Sequence, residues 1–225
     1  MTAPGSLPAI TWRGLVLPAK RPIPIPDGRL LPGVTLVEGP SGSGKSLFLR
    51  VLATLATPRS GRVAYFWKGA GDEPLVFPGT APDDLARIRA RIGYVPEAGR
   101  VLQGMRSGSA LHYLAAVRAV PEPRKAVAEA LTFWGLAETA SQPLDQLSGG
   151  QWRRWLLAQS WLVRPALWIL DEPARGLDHE GTALLRSVLE AYSAAASAGD
   201  PVWAVVVDSE GRVADLAGEH LVLAP

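Results

Sequence analysis

Eight consecutive residues, Gly39-Pro40-Ser41-Gly42-Ser43-Gly44-Lys45-Ser46, have the types and spacing of a phosphate-binding loop: a glycine, four residues, then Gly-Lys-Ser. Glycines let backbone N–H groups turn inward with no Cβ in the way. Such groups form a nest for the α- and β-phosphates, and a following helix adds its positive N-terminal end. Lys45 reaches the β- and γ-phosphates, and the Ser46 hydroxyl can bind Mg2+. Leu47 completes the nucleotide-binding stretch. The flanks fit, since Val34-Thr35-Leu36-Val37 reads as a buried strand and Leu47 to Leu55 as an apolar helix. A Gly/Ser-rich linker could match the same spacing, but a linker is not clamped between two apolar elements.

Two further stretches bear groups suited to a nucleotide. Ala166 to Leu170 is an apolar strand ending in Asp171-Glu172-Pro173. Carboxylates there sit at the carboxyl edge of a parallel sheet, where ligands bind. Asp171 can hold Mg2+ and Glu172 can polarise an attacking water; solvated acids at a strand end are the blander reading. Leu147-Ser148-Gly149-Gly150-Gln151 precedes an expected helix from Trp152 to Val163. A serine and two glycines at a helix N-terminus make a second anion site. Alone, the pentapeptide would be no more than a turn with an N-cap.

The elements that must position these groups follow from the pattern. Ala9 to Leu17 reads as a first strand. Pro18, Pro22, Pro24 and Pro26 exclude helix and central strand, so that stretch is an extended edge or loop. Arg62 to Trp67 is a strand, Gly69 to Pro82 a loop, Pro82 to Arg91 a short helix and Ile92 to Val95 a strand. Ala110 to Val120 and Arg124 to Trp134 read as helices broken at Pro121 and Pro123. Glu180 to Ala195 is a helix, and Val202 to Val207 and Leu221 to Leu223 are strands. Arg87, Arg89 and Arg91 are expected to form a solvated basic face.

Composition bounds the rest. The chain has 225 residues, 48% of them apolar, enough for one large domain or a core with a subdomain. A net charge of +2 does not argue for nucleic acid. The absence of cysteine excludes disulfides and thiol chemistry and fits a reducing compartment. MTAPGSLPAI lacks the basic and apolar regions of a secretory signal, so none is expected. The longest apolar segment, Trp155 to Leu170, is broken by Arg164-Pro165, so a soluble or peripheral protein is expected.

In their order and in a chain of this length, GPSGSGKS, LSGGQ and LWILDEP resemble the nucleotide-binding subunit of the ABC ATPase family over nearly the whole sequence. Arg91 to Pro96 is similar to the lead into that family's Q-loop, and Ala174 to Asp178 to its D-loop. The resemblance implies an α/β fold: a RecA-like P-loop NTPase core with an N-terminal antiparallel β-subdomain and an inserted α-helical subdomain. It implies one nucleotide-binding domain over residues 1–225, with the core at about 1–97 and 164–225 and helices at about 98–163. It further implies ATP and Mg2+ as cofactors, and a dimer, homo- or heteromeric, in which the partner's Ser148, Gly149, Gly150 and Gln151 close on the γ-phosphate. Asp178 would belong to the dimer interface. An integral membrane permease subunit would be the second partner, docking at Glu97 to Arg106, with the chain cytoplasmic and peripheral on the inner face of the cell membrane. No nucleic acid is implied.

Three positions depart from the family. Glu97 stands where the Q-loop glutamine is expected; Gln103 lies further on. Its charge should bind the metal more strongly and repel the γ-phosphate. Asp208 stands, by counting back from the last strand, where the switch histidine is expected, and an ionised carboxylate only accepts hydrogen bonds. Glu97, Asp208 and Glu172 are thus the catalytic candidates, with Ser46, Asp171 and Glu97 for the metal. No aromatic precedes the loop near Leu17 to stack on adenine; Trp12 is the nearest, either as that platform or, preferably, as a core residue. Slow hydrolysis, or dependence on another donor such as Ser209, is expected from these changes. An ATP-dependent regulatory or mechanical clamp is the alternative to a transport ATPase.

Overall fold

The computed structural model describes residues 9–67, 73–99 and 104–224. Gln103, part of Glu97 to Arg106, part of the Gly69 to Pro82 loop and most of the MTAPGSLPAI start lie outside the described residues. Two sheets and six α-helices make up the described chain.

The first sheet is antiparallel. It contains β1 (Ile10–Leu17), β2 (Ile23–Pro24), β3 (Gly28–Leu30), β5 (Ser60–Tyr65) and β6 (Leu75–Phe77), ordered β2-β1-β5-β6 with β3 also on β1. The proline-rich stretch supplies the edge strand β2, where a missing N–H costs least. β6 falls inside the expected loop: three residues between Pro74 and Pro78 are too short to show a period, and pairing to β5 makes the strand.

The second sheet is parallel throughout, in the order β10 (Glu219–Val222), β4 (Gly33–Glu38), β9 (Trp203–Val207), β8 (Leu167–Asp171), β7 (Ile92–Val95). Its central strands β8 and β9 are buried along their whole length, as a sheet covered on both faces requires. Alternation assigns each side chain to a face. Leu167, Ile169, Trp203, Val205 and Val207 join the core shared with the antiparallel sheet and α1 (Lys45–Leu52). Trp168, Leu170, Ala204 and Val206 join the other core. That second core takes α3 (Ser107–Val117), α4 (Pro123–Phe133), α5 (Gly149–Trp161) and α6 (His179–Ser197). The sixth helix, α2 (Pro82–Ala90), leads into β7.

Helix α1 lies between the two sheets, with Phe48, Leu49, Val51 and Leu52 buried. Trp12 meets Phe48 edge-on at 5.2 Å and its indole N–H donates to the Pro26 carbonyl at 2.7 Å. With only 1% of its surface exposed, Trp12 is a core residue and offers no face to an adenine. Arg87, Arg89 and Arg91 are exposed, as expected of a solvated face, and Arg89 also donates to the Thr54 hydroxyl at 2.9 Å and to its carbonyl at 3.0 Å. Among the described residues no helix is long and apolar enough to cross a membrane.

Candidate functional site

The loop between β4 and α1 begins at Gly39 (φ 144°), and a Cβ there would come within 2.4 Å of the Leu223 carbonyl oxygen beside β10. Gly44 is the N-cap of α1 at φ 96°; a Cβ on it would come within 2.9 Å of Leu17 and 3.2 Å of Ile23. Glycine is thus required where the antiparallel sheet presses on the loop. Lys45 Nζ donates to the carbonyls of Gly39 (2.7 Å) and Pro40 (3.1 Å), so the ammonium spans the loop's mouth. Ser43 is buried with its hydroxyl unpartnered, whereas Ser41 is exposed.

A cleft of about 630 Å3 opens over this loop. Gly39, Ser41, Gly42, Gly44, Lys45, Ser46 and Leu47 line it from the loop, and Ala19 and Ile23 from the β-subdomain. Glu97, Asp171, Glu172, Arg175, Val207 and Ser209 line it from the parallel sheet. The carboxyl ends of β7, β8 and β9 therefore meet the loop, as parallel order dictates.

Asp171 ends β8, is 2% exposed, and its Oδ1 has no hydrogen-bond partner. Burial pushes its carboxyl pKa up; a hydrogen bond with Ser46 opposes this, and the charges of Glu97 and Glu172 add to the rise. A buried carboxylate with an orphaned oxygen beside a hydroxyl is a hard-oxygen environment that a small divalent cation satisfies. Mg2+ fits these residues.

Glu172 is 7% exposed and adopts φ 51°, the left-handed region that side chains avoid. Strain of about 1–3 kcal/mol persists at such a residue only when its surroundings fix it. Here Glu172 N–H donates to Val207 O at 2.9 Å, and its carboxylate accepts from Ser209 N–H at 3.1 and 3.3 Å. The carboxylate is thereby held in the cleft.

Glu97 also faces the cleft, but its charge is engaged: Arg175 Nη1 donates to Glu97 Oε1 at 2.6 Å. This tempers the expected repulsion of a phosphate. Asp208 does not join the cleft lining. Its Oδ2 accepts the Val213 N–H at 2.7 Å, closing the turn after β9, and the neighbouring Ser209 enters the cleft instead. Asp208→Ala should therefore leave turnover within about threefold of wild type. It should lower Tm by about 2–4 °C through the lost hydrogen bond. Phosphate release and thermal unfolding check this; abolished turnover would make Asp208 a working catalytic group.

The second anion-binding candidate lies outside the cleft. Ser148 is the N-cap of α5, and its hydroxyl accepts from Gln151 N–H at 3.2 Å while Gln151 Oε1 accepts from Ser148 N–H at 2.9 Å. This capping box explains why the helix begins at Gly149 and not at Trp152. A Cβ at Gly149 would meet nothing, and one at Gly150 only the Gly176 carbonyl at 3.5 Å. The start of α5 is thus open for close approach. Asp178 is the N-cap of α6, accepting from Gly181 N–H at 2.8 Å, and Arg154 donates to both its oxygens at 2.6 Å. Arg154, then the Gly181 amide, hold the Asp178 carboxyl below its ordinary pKa.

Sequence reasoning passed over Arg153. The side chain is 5% exposed and donates to the carbonyls of Pro96 (2.7 Å), Glu97 (3.1 Å), Asp171 (2.8 Å), Pro173 (3.1 Å) and Glu172. Adjacent arginines inside an otherwise apolar WRRWLL helix were the available signal. Ile23 and Ala19 were missed because the proline-rich stretch offered no aromatic.

A parallel sheet whose strand ends bring two carboxylates to a glycine loop carrying Gly-Lys-Ser defines a P-loop nucleoside triphosphatase. The model of the family described as ABC transporter matches residues 32–175. Over 180 residues the chain is 35% identical to the cytochrome c biogenesis ATP-binding export protein CcmA of Bordetella bronchiseptica, spanning 80% of this chain and 74% of that protein. Over 162 residues it is 37% identical to the same-named protein of Xylella fastidiosa, spanning 72% and 67%. A dimeric ATP-binding cassette in a post-hydrolysis state with ADP and Pi superimposes with a TM-score of 0.74 at 23% identity, over 95% of this chain and 94% of that one. An ATP-binding subunit of an ABC transporter superimposes with a TM-score of 0.75 at 17% identity, over 95% and 85%. The chain belongs to the ABC transporter family, as an ATP-binding subunit, and has that family's ATPase fold.

Proposed function

We propose that this chain powers export through a separate membrane-spanning partner, binding Mg-ATP between two cassettes and hydrolysing it there. The observation that carries this reading is the split of the chemistry. Lys45, Ser46, Asp171 and Glu172 line one cleft, while Ser148 to Gln151 cap a helix outside it. A second anion site outside the lining of its own cleft suits a nucleotide held by another copy.

Within the cleft, backbone N–H groups of the loop and the start of α1 cradle the phosphates. Lys45 exchanges its two carbonyl partners for β- and γ-oxygens. Ser46 and Asp171 would hold Mg2+, which when bound would neutralise phosphate charge. Glu172, fixed by the Ser209 amide, accepts a proton from the attacking water. Ile23 and Ala19 give the adenine an aliphatic surface in place of an aromatic. Asp178 and Gly176 lie beside the start of α5 and face the partner cassette.

Asp208 is turned to Val213 and offers the cleft no donor in place of a histidine, so turnover is slow. Export as the direction rests on the names of the relatives; attachment at the inner face of the membrane follows from the proposed membrane-spanning partner. Those names also argue against the clamp reading. Purification from detergent-solubilised membranes tests the assignment: a multi-span membrane protein should co-purify with the tagged chain, and recovery of only soluble partners would overturn it.

A further inference from the structure

Arg175 has no role in the reading above, yet it faces the nucleotide cleft. Among the described residues lining that cleft, the cations are Lys45 and Arg175, against three carboxylates, Glu97, Asp171 and Glu172. A magnesium triphosphate brings about two further negative charges. Lys45 alone would leave the γ-phosphate end facing Glu97 and Glu172 with little to offset them. The residue at position 208 supplies no donor, since its carboxylate is spent on Val213 N–H.

Arg175 is placed to meet that need. Its backbone N–H donates to the Glu172 carbonyl at 3.2 Å, which fixes the side chain's root one turn from the catalytic carboxylate. Its guanidinium is paired with Glu97 at 2.6 Å, with the arginine side chain 59% and the glutamate side chain 47% exposed. An exposed ion pair of this kind shifts an equilibrium by about fivefold at most. A phosphate offers the same guanidinium two parallel charge-assisted hydrogen bonds and more charge. The pair is a partner that the nucleotide can displace.

We propose that Arg175 is a γ-phosphate-binding residue, parked on Glu97 when the cleft is empty and transferred to the terminal phosphate when Mg-ATP enters. Glu97 and Arg175 then form one device: the carboxylate that departs from the family's glutamine holds the arginine that replaces the missing donor. Delocalised positive charge at the γ-phosphate stabilises phosphoryl transfer wherever an arginine supplies it. This inference rests on the cleft being the ATP site.

The test is binding and turnover in four variants of the purified full chain. Mg-ATP and Mg-ADP affinities are measured by calorimetry, and phosphate release is measured alongside. Arg175→Ala should weaken Mg-ATP at least tenfold, leave Mg-ADP within about twofold, and lower turnover by about 10-fold to 10³-fold. Glu97→Gln should tighten Mg-ATP severalfold by freeing the arginine, and the double variant E97Q/R175A should show no such gain. Unchanged discrimination of ATP over ADP in Arg175→Ala overturns the proposal, as does a gain that persists in the double variant. Lys45→Ala separates this from the underlying reading. If that variant loses Mg-ATP binding, the cleft is the nucleotide site and the arginine result stands by itself. If it binds as wild type does, the nucleotide lies elsewhere and both readings fall.

Discussion

Glu172→Gln should lower ATP turnover by about 10²-fold to 10⁴-fold, the usual contribution of a positioned general base, while Mg-ATP binding survives. The substitution is isosteric, so the left-handed backbone at φ 51° and the hydrogen bond from the residue's N–H to Val207 remain. One side-chain oxygen can still accept from Ser209 N–H, as the carboxylate does at 3.1 Å. What is lost is the carboxylate proposed to take the water's proton. None of the proposed phosphate ligands is touched, because Lys45 and the glycine loop are separate residues of the cleft lining. The variant should therefore accumulate as an ATP-bound pair of cassettes. Single-turnover phosphate release and size-exclusion chromatography in Mg-ATP read the two effects separately. Unchanged turnover would move the base to another residue, and a variant that stays monomeric at saturating Mg-ATP, even beside its natural partner, would remove the split-site reading.

Much of this arrangement was legible because it is local. A loop of eight residues between a strand and a helix carries its own geometry, and Asp171-Glu172 announces the end of a buried strand. The sheet order then brings the two together without further information. Contacts between side chains distant in sequence were not legible. Asp208 stands at the expected position but is turned to Val213, since a carboxylate directly before the turn at Ser209 finds an N–H on the turn's far side. Glu97 reads as a bare charge until the fold puts Arg175, 78 positions later, against it. Trp12 is ambiguous as an aromatic upstream of the loop, and only packing against Phe48 decides it. The strand Leu75–Phe77 exists because β5 has a free edge, which no property of its three residues states.

Arg153 shows the same limit with the largest consequence. Burial lowers the pKa of its guanidinium, opposed by the charges of Asp171, Glu172 and Glu97. A buried charge is tolerable only where its donors are satisfied, and here carbonyls from two strand ends do this. The side chain ties α5, whose start carries Ser148, to the segments that place Glu97, Asp171 and Glu172. Arg153→Lys keeps charge and stem, but one ammonium with three donors cannot span five carbonyls. Hydrogen bonds to a charged group are each worth about 1.5–3 kcal/mol. Losing two of them should destabilise the fold by about 3 kcal/mol or more, lowering Tm by roughly 6–12 °C for a chain of this size. Turnover should fall about 10²-fold, because a displacement near 1 Å at the reacting groups has that effect. Mg-ADP affinity should change only severalfold, since the loop and Lys45 are untouched. That split separates a positioning role from general unfolding. A variant with wild-type Tm and turnover would show that the carbonyls hold their places without the arginine, and that α5 is joined to the catalytic strand ends by packing alone.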